Sequence, residues 1–186
     1  MDAAERESVV AYLERTRDEM LALAKSLTAE RREFRDAPNR WSVADCMEHI
    51  VITETAIRRQ LERILAGPPD LEHRGATAHK DAILTERVAP RRGRAQAPEA
   101  AHPSRRWPDF EELSRRFEET RAATIALARN SEADLRCYFF PHPILQDLDA
   151  YQWLVFFAAH TERHLKQADE VLNSAGVAKA AGEASA

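Results

Sequence analysis

Hydrophobic residues recur along much of the chain at spacings of three and four, as in amphipathic helices that bury one face. The first such stretch should form a helix that ends at about Arg35, before the breaker Asp36-Ala-Pro-Asn39. A second should begin at Ser42, which with Asp45 has the form of a capping box, and end at Gly67. Their apolar stripes are Val9, Leu13, Thr16, Met20, Leu23 and Leu27, then Val43, Cys46, Ile50, Ile57, Leu61 and Ile64. Both stretches are predicted to be long helices.

Two further helices are predicted in the second half of the chain. The third has Pro108 at its first position and ends at Asn130, with the stripe Phe110, Leu113, Phe117, Thr120, Thr124 and Leu127. The fourth is capped by Asp149, with Gln152 three residues later, and continues to about Leu172. Four such helices, with a long connection between the second and third, predict an all-α protein with the fold of a four-helix bundle.

The connection from 68 to 107 shows no sustained periodicity, apart from a short helix expected at about 79–88. Its basic cluster is either a solvated loop or a rim that attracts an anionic substrate. This cluster consists of Arg87, Arg91, Arg92, Arg94, Arg105 and Arg106. After Asn173 the chain is rich in Ala, Gly and Ser, so we expect one domain over 1–173 and a disordered tail over 174–186.

Composition narrows the class of protein further. The chain has 186 residues, a formal charge of −4 and a pI near 6.0, which gives no overall attraction to nucleic acid or to an anionic membrane. No apolar run approaches the roughly 20 residues that span a bilayer, and the charged start lacks a signal-peptide pattern. Two cysteines, Cys46 and Cys137, do not make a disulfide framework. We therefore expect a soluble cytoplasmic protein with neither nucleic acid nor membrane as a partner.

Polar residues interrupt the buried stripe of the fourth helix. The stripe consists of Trp153, Phe157, His160, His164, Gln167 and Val171. Burying an imidazole with an unsatisfied nitrogen costs roughly 1–3 kcal/mol, so adjacent histidines in a core need a common partner. His160 and His164 lie one turn apart on one face and can converge on one metal ion.

A third ligand could come from His49, which lies beside the buried stripe of the second helix. Three histidines would suit Zn²⁺, Ni²⁺ or Fe²⁺ without choosing among them. Whether they meet depends on the stagger of the helices, which spacing leaves open. Glu162 points away from the histidine face, so the segment is not a His-Glu-x-x-His zinc protease site. A di-iron bundle would need Glu-x-x-His on two helices, and such a pair of motifs does not occur.

The chain resembles the DinB-like superfamily of metalloenzymes, which are four-helix bundles, over about residues 5 to 173. The resemblance rests on Trp41-Ser-Val-x-Asp-x-x-x-His49 and on His142-Pro143, Leu148, Trp153 and Ala159-His-Thr-Glu-Arg-His-x-x-Gln167. It implies a divalent metal, Zn, Ni or Fe, held by His49, His160 and His164. One departure is Gln146, where members of the family often have glycine.

The family's reactions imply a small-molecule substrate, through either S-transfer with a low-molecular-weight thiol as cofactor or hydrolysis. Members often form homodimers, and the family name records induction by DNA damage, which implies a stress response. Two other hypotheses stay open: a non-catalytic metal-binding protein, and a dimeric helical interaction protein.

Several other side chains near the predicted site have a predicted role, and for some of them two alternatives stay open. Gln167 either orients water or a ligand at the metal or satisfies its neighbours in the core. Asp45 or Thr53, one turn on either side of the second-helix histidine, could accept a proton from its ring. His142 is assigned to a turn with Pro143, and Cys46 to the core, although a thiolate ligand is its alternative. Trp41 and the aromatic group of the fourth helix are assigned to packing.

Overall fold

Four long helices dominate the computed structural model, which describes residues 1–90 and 96–183, with side chains up to residue 174. In chain order the helices are α1 (Ala3–Ser26), α2 (Ala29–Glu33), α3 (Val43–Leu65), α4 (Asp81–Ile83), α5 (Phe110–Asn130) and α6 (Ala150–Glu183). Around the bundle the long helices follow the order α1, α5, α3, α6, so α1 and α3 lie diagonally opposite. The predicted all-α four-helix bundle with a long connection is confirmed, and its spatial order places α3 beside α6.

Capping side chains mark where the long helices begin. Ser42 and Asp45 form the predicted capping box of α3. At the start of α6, the Gln152 N–H donates to Asp149 Oδ1 at 2.7 Å and the Asp149 N–H donates to Gln152 Oε1 at 3.1 Å, also as predicted. The start of α5 differs, because Asp109 is its cap and Pro108 precedes the helix rather than occupying its first position.

The first helix ends earlier than the sequence predicts. α1 stops at Ser26 because Leu27 is extended, and the Thr28 hydroxyl caps the short α2 by accepting from the Arg31 N–H. A threonine side chain that bonds a backbone N–H three residues later starts a new helix and so competes with continuation of the preceding one. The prediction of one helix to Arg35 was therefore wrong.

The connection between α3 and α5 carries the predicted short helix. It is continuous from a 3₁₀ turn at Ala78–Lys80 through α4 to a π-type turn at Leu84–Val88. Leu84 is fully buried against α6 and fastens this segment to the bundle. Further along, a 3₁₀ turn spans Glu99–Ala101. Three members of the basic cluster, Arg91, Arg92 and Arg94, lie outside the described residues.

A small antiparallel hairpin precedes α6, where the sequence predicted only a structured turn. Strand β1 spans Phe139–His142 and β2 spans Gln146–Asp149, with Phe139 paired to Asp149 and His142 to Gln146. The hairpin packs on the first turn of α6, since Trp153 Nε1–H donates to the Phe140 carbonyl at 3.2 Å and the two rings stack at 4.2 Å.

The core consists of two apolar clusters separated by a polar layer in the middle of the bundle. One cluster lies toward the hairpin and the other toward the start of α3. Between them lie the buried residues Thr16, Glu54, Arg121 and Thr161, one from each long helix. In α5 the buried stripe passes through Arg121 and Ala128, whereas the predicted Thr120 and Leu127 are half-buried, as are Leu23 of α1 and Leu27, which directly follows that helix. Because the charged Arg121 is part of the buried stripe of α5, the prediction from apolar residues was wrong by one position at Thr120 and Leu127.

The final helix continues to Glu183, past its predicted end at about Leu172. The added residues include many alanines, which favour helix. The domain boundary at residue 173 and the disordered tail at 174–186 stay predictions, and residues 184–186 lie outside the described residues. None of the described helices is both long and apolar enough to cross a membrane.

Candidate metal centre

Three histidine side chains converge where α3 passes α6. His49 comes from α3, and His160 and His164 come from consecutive turns of α6, with their ligand nitrogens all within 4.8 Å of one another. Nε2 of His160 lies 3.3 Å from Nε2 of His49 and 3.1 Å from Nε2 of His164. The stagger of the helices, which the sequence left open, thus brings the three predicted ligands together.

The spacing of these nitrogens suits a metal ion. A tetrahedral ion with metal–nitrogen bonds of roughly 2.0–2.1 Å holds its ligand atoms about 3.3 Å apart. A neutral imidazole has one N–H, so three Nε2 atoms that face one another cannot all be satisfied by mutual hydrogen bonds. Three imidazole nitrogens in this arrangement therefore fit a divalent ion of the Zn²⁺, Ni²⁺ or Fe²⁺ type.

A backbone carbonyl from the long connection orients His49. Its Nδ1 lies 2.7 Å from the carbonyl oxygen of Ala101, which can only accept, so Nδ1 carries the proton. The lone pair on Nε2 consequently points toward the other two histidines, an arrangement common among metal-ligating histidines. Thr53 Oγ1 is farther from the same Nδ1, at 3.5 Å.

Asp45 does not take the role that was considered for it beside His49. Its carboxylate accepts from the Arg35 guanidinium at 2.7 and 2.8 Å and caps α3 through the Ser42 N–H. The suggestion that Asp45 accepts the ring proton of His49 was wrong, because His49 Nδ1 bonds to the Ala101 carbonyl while the Asp45 carboxylate binds Arg35 and the start of the helix.

Glu48, the residue before His49 in α3, binds the same connection to that helix. Its carboxylate is 3% exposed and accepts the backbone N–H groups of Ser104, Arg105 and Arg106 at 2.9, 3.0 and 3.1 Å. Sequence reasoning missed Glu48. The only signal was an acidic residue beside the apolar stripe of α3, with no hint of its backbone partners.

The environment keeps His49 and His160 available as neutral ligands. Burial lowers the pKa of His160 well below its ordinary value, and the neighbouring His49 lowers it further. Burial also lowers the pKa of His49, although its bond to the Ala101 carbonyl acts in the opposite direction. At neutral pH both rings are therefore unprotonated and able to bind a metal ion.

Aromatic rings cover two sides of the cluster. The Trp41 ring lies 4.7 Å from the His49 ring and stacks on His164 at 5.9 Å, while Phe156 stacks on His160 at 5.1 Å. Trp41, expected only to pack the helix entry, thus contacts the site itself. His49 and His164 are buried, whereas His160 is half-buried.

The remaining candidates are distributed around the site. His142 belongs to the hairpin turn, as expected, since its Nδ1 accepts from the Ile144 and Leu145 N–H groups at 3.1 Å. Cys46 is buried in α3 and lies outside the three-residue ligand group found in the described part of the chain. Glu162 points away, as expected, and accepts from Tyr12. Gln167 is half-buried, and its side chain forms no hydrogen bond among the described residues, so both of its suggested roles stay predictions.

Comparison with known proteins supports this picture at the level of family and fold. A family model of the DinB superfamily matches residues 12–168. "Uncharacterized protein YuaE" of Bacillus subtilis (strain 168) is 26% identical over 150 residues, which cover 79% of this chain and 86% of that protein. The structure of YfiT from Bacillus subtilis, described as "a probable metal-dependent hydrolase with an unusual four-helix bundle topology", matches with a TM-score of 0.64. It covers 95% of this chain and 90% of its own, and at 13% identity it shows a shared fold.

Proposed function

Because this chain belongs to the DinB superfamily, we propose that it is a divalent-metal-dependent enzyme that acts on small molecules. His49, His160 and His164 are the proposed ligands. The observation that carries the proposal is the convergence of three histidine side chains, in which Nε2 of His160 lies 3.3 and 3.1 Å from Nε2 of His49 and of His164, spacings that fit one ion. The description of YfiT as a probable metal-dependent hydrolase supports the same chemistry.

The chain's own residues would hold and shield the ion. The Ala101 carbonyl fixes the His49 tautomer, and the rings of Trp41 and Phe156 keep water from two sides of the cluster. A divalent ion bound to three uncharged ligands lowers the pKa of a water or thiol that it binds and polarises a substrate. The partly exposed side, at His160, is where a small molecule would enter.

Hydrolysis is the reaction class that we propose first, with thiol S-transfer as the second. The two differ only in whether water or a low-molecular-weight thiol is activated at the ion. The YfiT description favours hydrolysis, whereas the family resemblance supplies the thiol alternative.

The reaction can be tested with protein stripped of metal and reloaded with Zn²⁺, Ni²⁺ or Fe²⁺. Each form would be assayed for hydrolysis of activated esters and amides, and for transfer of a small thiol to an electrophile. We expect metal-dependent turnover in the wild type and in His79→Ala, an exposed histidine of the connection, but none in His160→Ala. Loaded protein that binds its ion without turnover would instead support the non-catalytic alternative.

Homodimer formation, cytoplasmic location and a stress response remain parts of the proposal that come from the resemblance and from composition. Sedimentation velocity at micromolar concentration tests the first. A mass equal to one chain at all concentrations would remove the dimer from the proposal.

A further inference from the structure

Two adjacent side chains of α3 hold one segment of the long connection against the site. His49 Nδ1–H donates to the Ala101 carbonyl, and three to five residues later in the chain three consecutive backbone N–H groups donate to the Glu48 carboxylate. The segment 101–106 is thus bound at both of its ends by neighbouring residues of one helix. The first end reaches a proposed metal ligand directly.

The backbone conformation of segment 101–106 suits the binding of the Glu48 carboxylate. Arg105 has a φ of 60°, in the left-handed region that costs a non-glycine residue of order 1 kcal/mol. This conformation turns the N–H groups of Ser104, Arg105 and Arg106 toward one point, as in the concave backbone sites that bind anions. The Arg105 side chain bonds to Glu33, and the Arg106 side chain bonds to Ser104 and to the Ala100 carbonyl. Within the described residues, the buried Glu48 carboxylate is thus held by backbone N–H groups.

We propose that Glu48 is a positioning residue of the metal centre, an inference that rests on the proposed function. By fixing segment 101–106, Glu48 keeps the Ala101 carbonyl where it takes the Nδ1 proton of His49. The Nε2 lone pair of His49 is thereby held toward His160 and His164. Partners of this kind typically contribute roughly 10–100-fold to metal affinity.

A purely structural role for Glu48 makes a different prediction. If Glu48 only anchored a surface loop, its loss would lower stability and leave the tautomer and metal affinity of the site unchanged. The tautomer of His49 therefore separates the two roles, because it can be observed by nitrogen NMR of the imidazole rings without any metal present.

Glu48→Gln is the direct test, since it keeps the shape of the side chain and leaves one oxygen for three donors. At about pH 8, where imidazoles are neutral, the metal-free wild type should show His49 protonated at Nδ1 only. Glu48→Gln should show a mixture of tautomers and bind Zn²⁺ roughly 10–100-fold more weakly in competition with a chromophoric chelator. Glu33→Ala, which removes only the surface ion pair to Arg105, should match the wild type in both measurements.

A second pair of variants perturbs the segment without altering α3. Arg105→Pro removes one N–H donor and cannot adopt a φ of 60°, whereas Arg105→Gly keeps the donor and adopts that φ freely. Both lose the contact to Glu33, so they form a matched pair. Arg105→Pro should reproduce the effects of Glu48→Gln, and Arg105→Gly should behave as the wild type.

These experiments distinguish failure of the proposed role of Glu48 from failure of the proposed metal-dependent function. A wild type that binds Zn²⁺, with Glu48→Gln and Arg105→Pro equal to it in tautomer and affinity, overturns the role of Glu48 and leaves the metal site intact. A wild type that binds no Zn²⁺, Ni²⁺ or Fe²⁺ overturns the proposed function and this inference with it. If Glu48→Gln fails to fold, as judged by circular dichroism, the Arg105 pair decides alone.

Discussion

Gln146 adopts a backbone conformation that favours glycine. Its φ is 58°, at the end of the three-residue loop of the hairpin, where a left-handed residue is the common solution for loops of this length. The family often has glycine at this position, and the structure gives the physical reason. The glutamine side chain is exposed, so its removal should cost no packing.

Replacing Gln146 with glycine should therefore raise the free energy of unfolding, by up to about 1 kcal/mol, because the strain of a left-handed non-glycine residue disappears. Urea denaturation of Gln146→Gly, Gln146→Ala and the wild type would measure this. Gln146→Ala should show no gain, since alanine keeps the Cβ. A glycine variant less stable than the wild type would show that chain entropy outweighs the strain.

At the scale of residues, the sequence predicted those parts of the site that can be recognised from the type and position of a side chain. His49, His160 and His164 were identifiable because they interrupt or flank apolar stripes. The Ala101 carbonyl was not, because every residue carries a carbonyl and only the path of the connection selects one. The role of Glu48 could not be predicted for the same reason, since its partners are backbone N–H groups.

His142, in the hairpin, should make the stability of the folded protein depend on pH. Burial lowers the pKa of His142 to about 4, and its Nδ1 accepts two backbone N–H bonds of the turn that protonation would break. Since the folded pKa lies below the unfolded value of about 6.5, the unfolded chain binds more protons between these values. The contribution of His142 to stability is thus complete above about pH 6.5 and is lost as the pH falls toward 4.

Comparing the wild type with His142→Gln isolates this contribution from other titrating groups. Between pH 7 and pH 4, about the interval set by the two pKa values, the wild type should lose more unfolding free energy than the variant. Denaturant titrations at several pH values measure the difference. Parallel stability curves for the two proteins would show that His142 titrates as it does in the unfolded chain.

At the scale of elements, capping signals were the most informative part of the sequence. Ser42 with Asp45 and Asp149 with Gln152 located the starts of α3 and α6, because the cap bonds depend on side chains of fixed spacing. The end of α1 and the hairpin were missed. After α1, the Thr28 cap starts a separate short helix where apolar periodicity predicted a continuous one. Before α6, two four-residue strands pair where only a turn was predicted.

In the whole molecule, the polar layer joins all four long helices at one level. The buried Arg121 guanidinium of α5 donates to Glu54 of α3 and to Thr161 of α6, and to the Leu13 carbonyl and Thr16 hydroxyl of α1. Because every one of these bonds has a fixed position along its helix, the layer sets the relative stagger of the bundle. That stagger is also what brings His49 level with His160.

Arg121→Ala should lower the free energy of unfolding by about 3–5 kcal/mol, because it leaves the buried Glu54 carboxylate without its partner. The double variant Arg121→Met, Glu54→Leu should cost less than either single truncation, since it removes both charges. Urea denaturation measures each, with Arg129→Ala as control, because Arg129 of the same helix forms only a surface pair with Glu14. Equal losses in Arg121→Ala and Arg129→Ala would contradict a stabilising role for the buried pair.

The number and type of elements in the bundle followed from apolar periodicity, but their order around the axis did not. Periodicity reports which face of a helix is buried and is silent about which helix covers it. The diagonal placement of α1 and α3 depends on the long connection, which Glu48, Leu84 and Asp149 bind to the bundle through contacts distant in sequence.

Metal content measured by inductively coupled plasma mass spectrometry tests the central claim most directly. Untagged wild type and His49→Ala would be compared after incubation with zinc, nickel and iron salts and removal of unbound metal. The three-histidine site predicts about one ion per chain in the wild type and a loss of that ion in the variant. Wild type without bound metal, or an ion retained equally by His49→Ala, would contradict the account and leave the histidine cluster as a hydrogen-bonded part of the core.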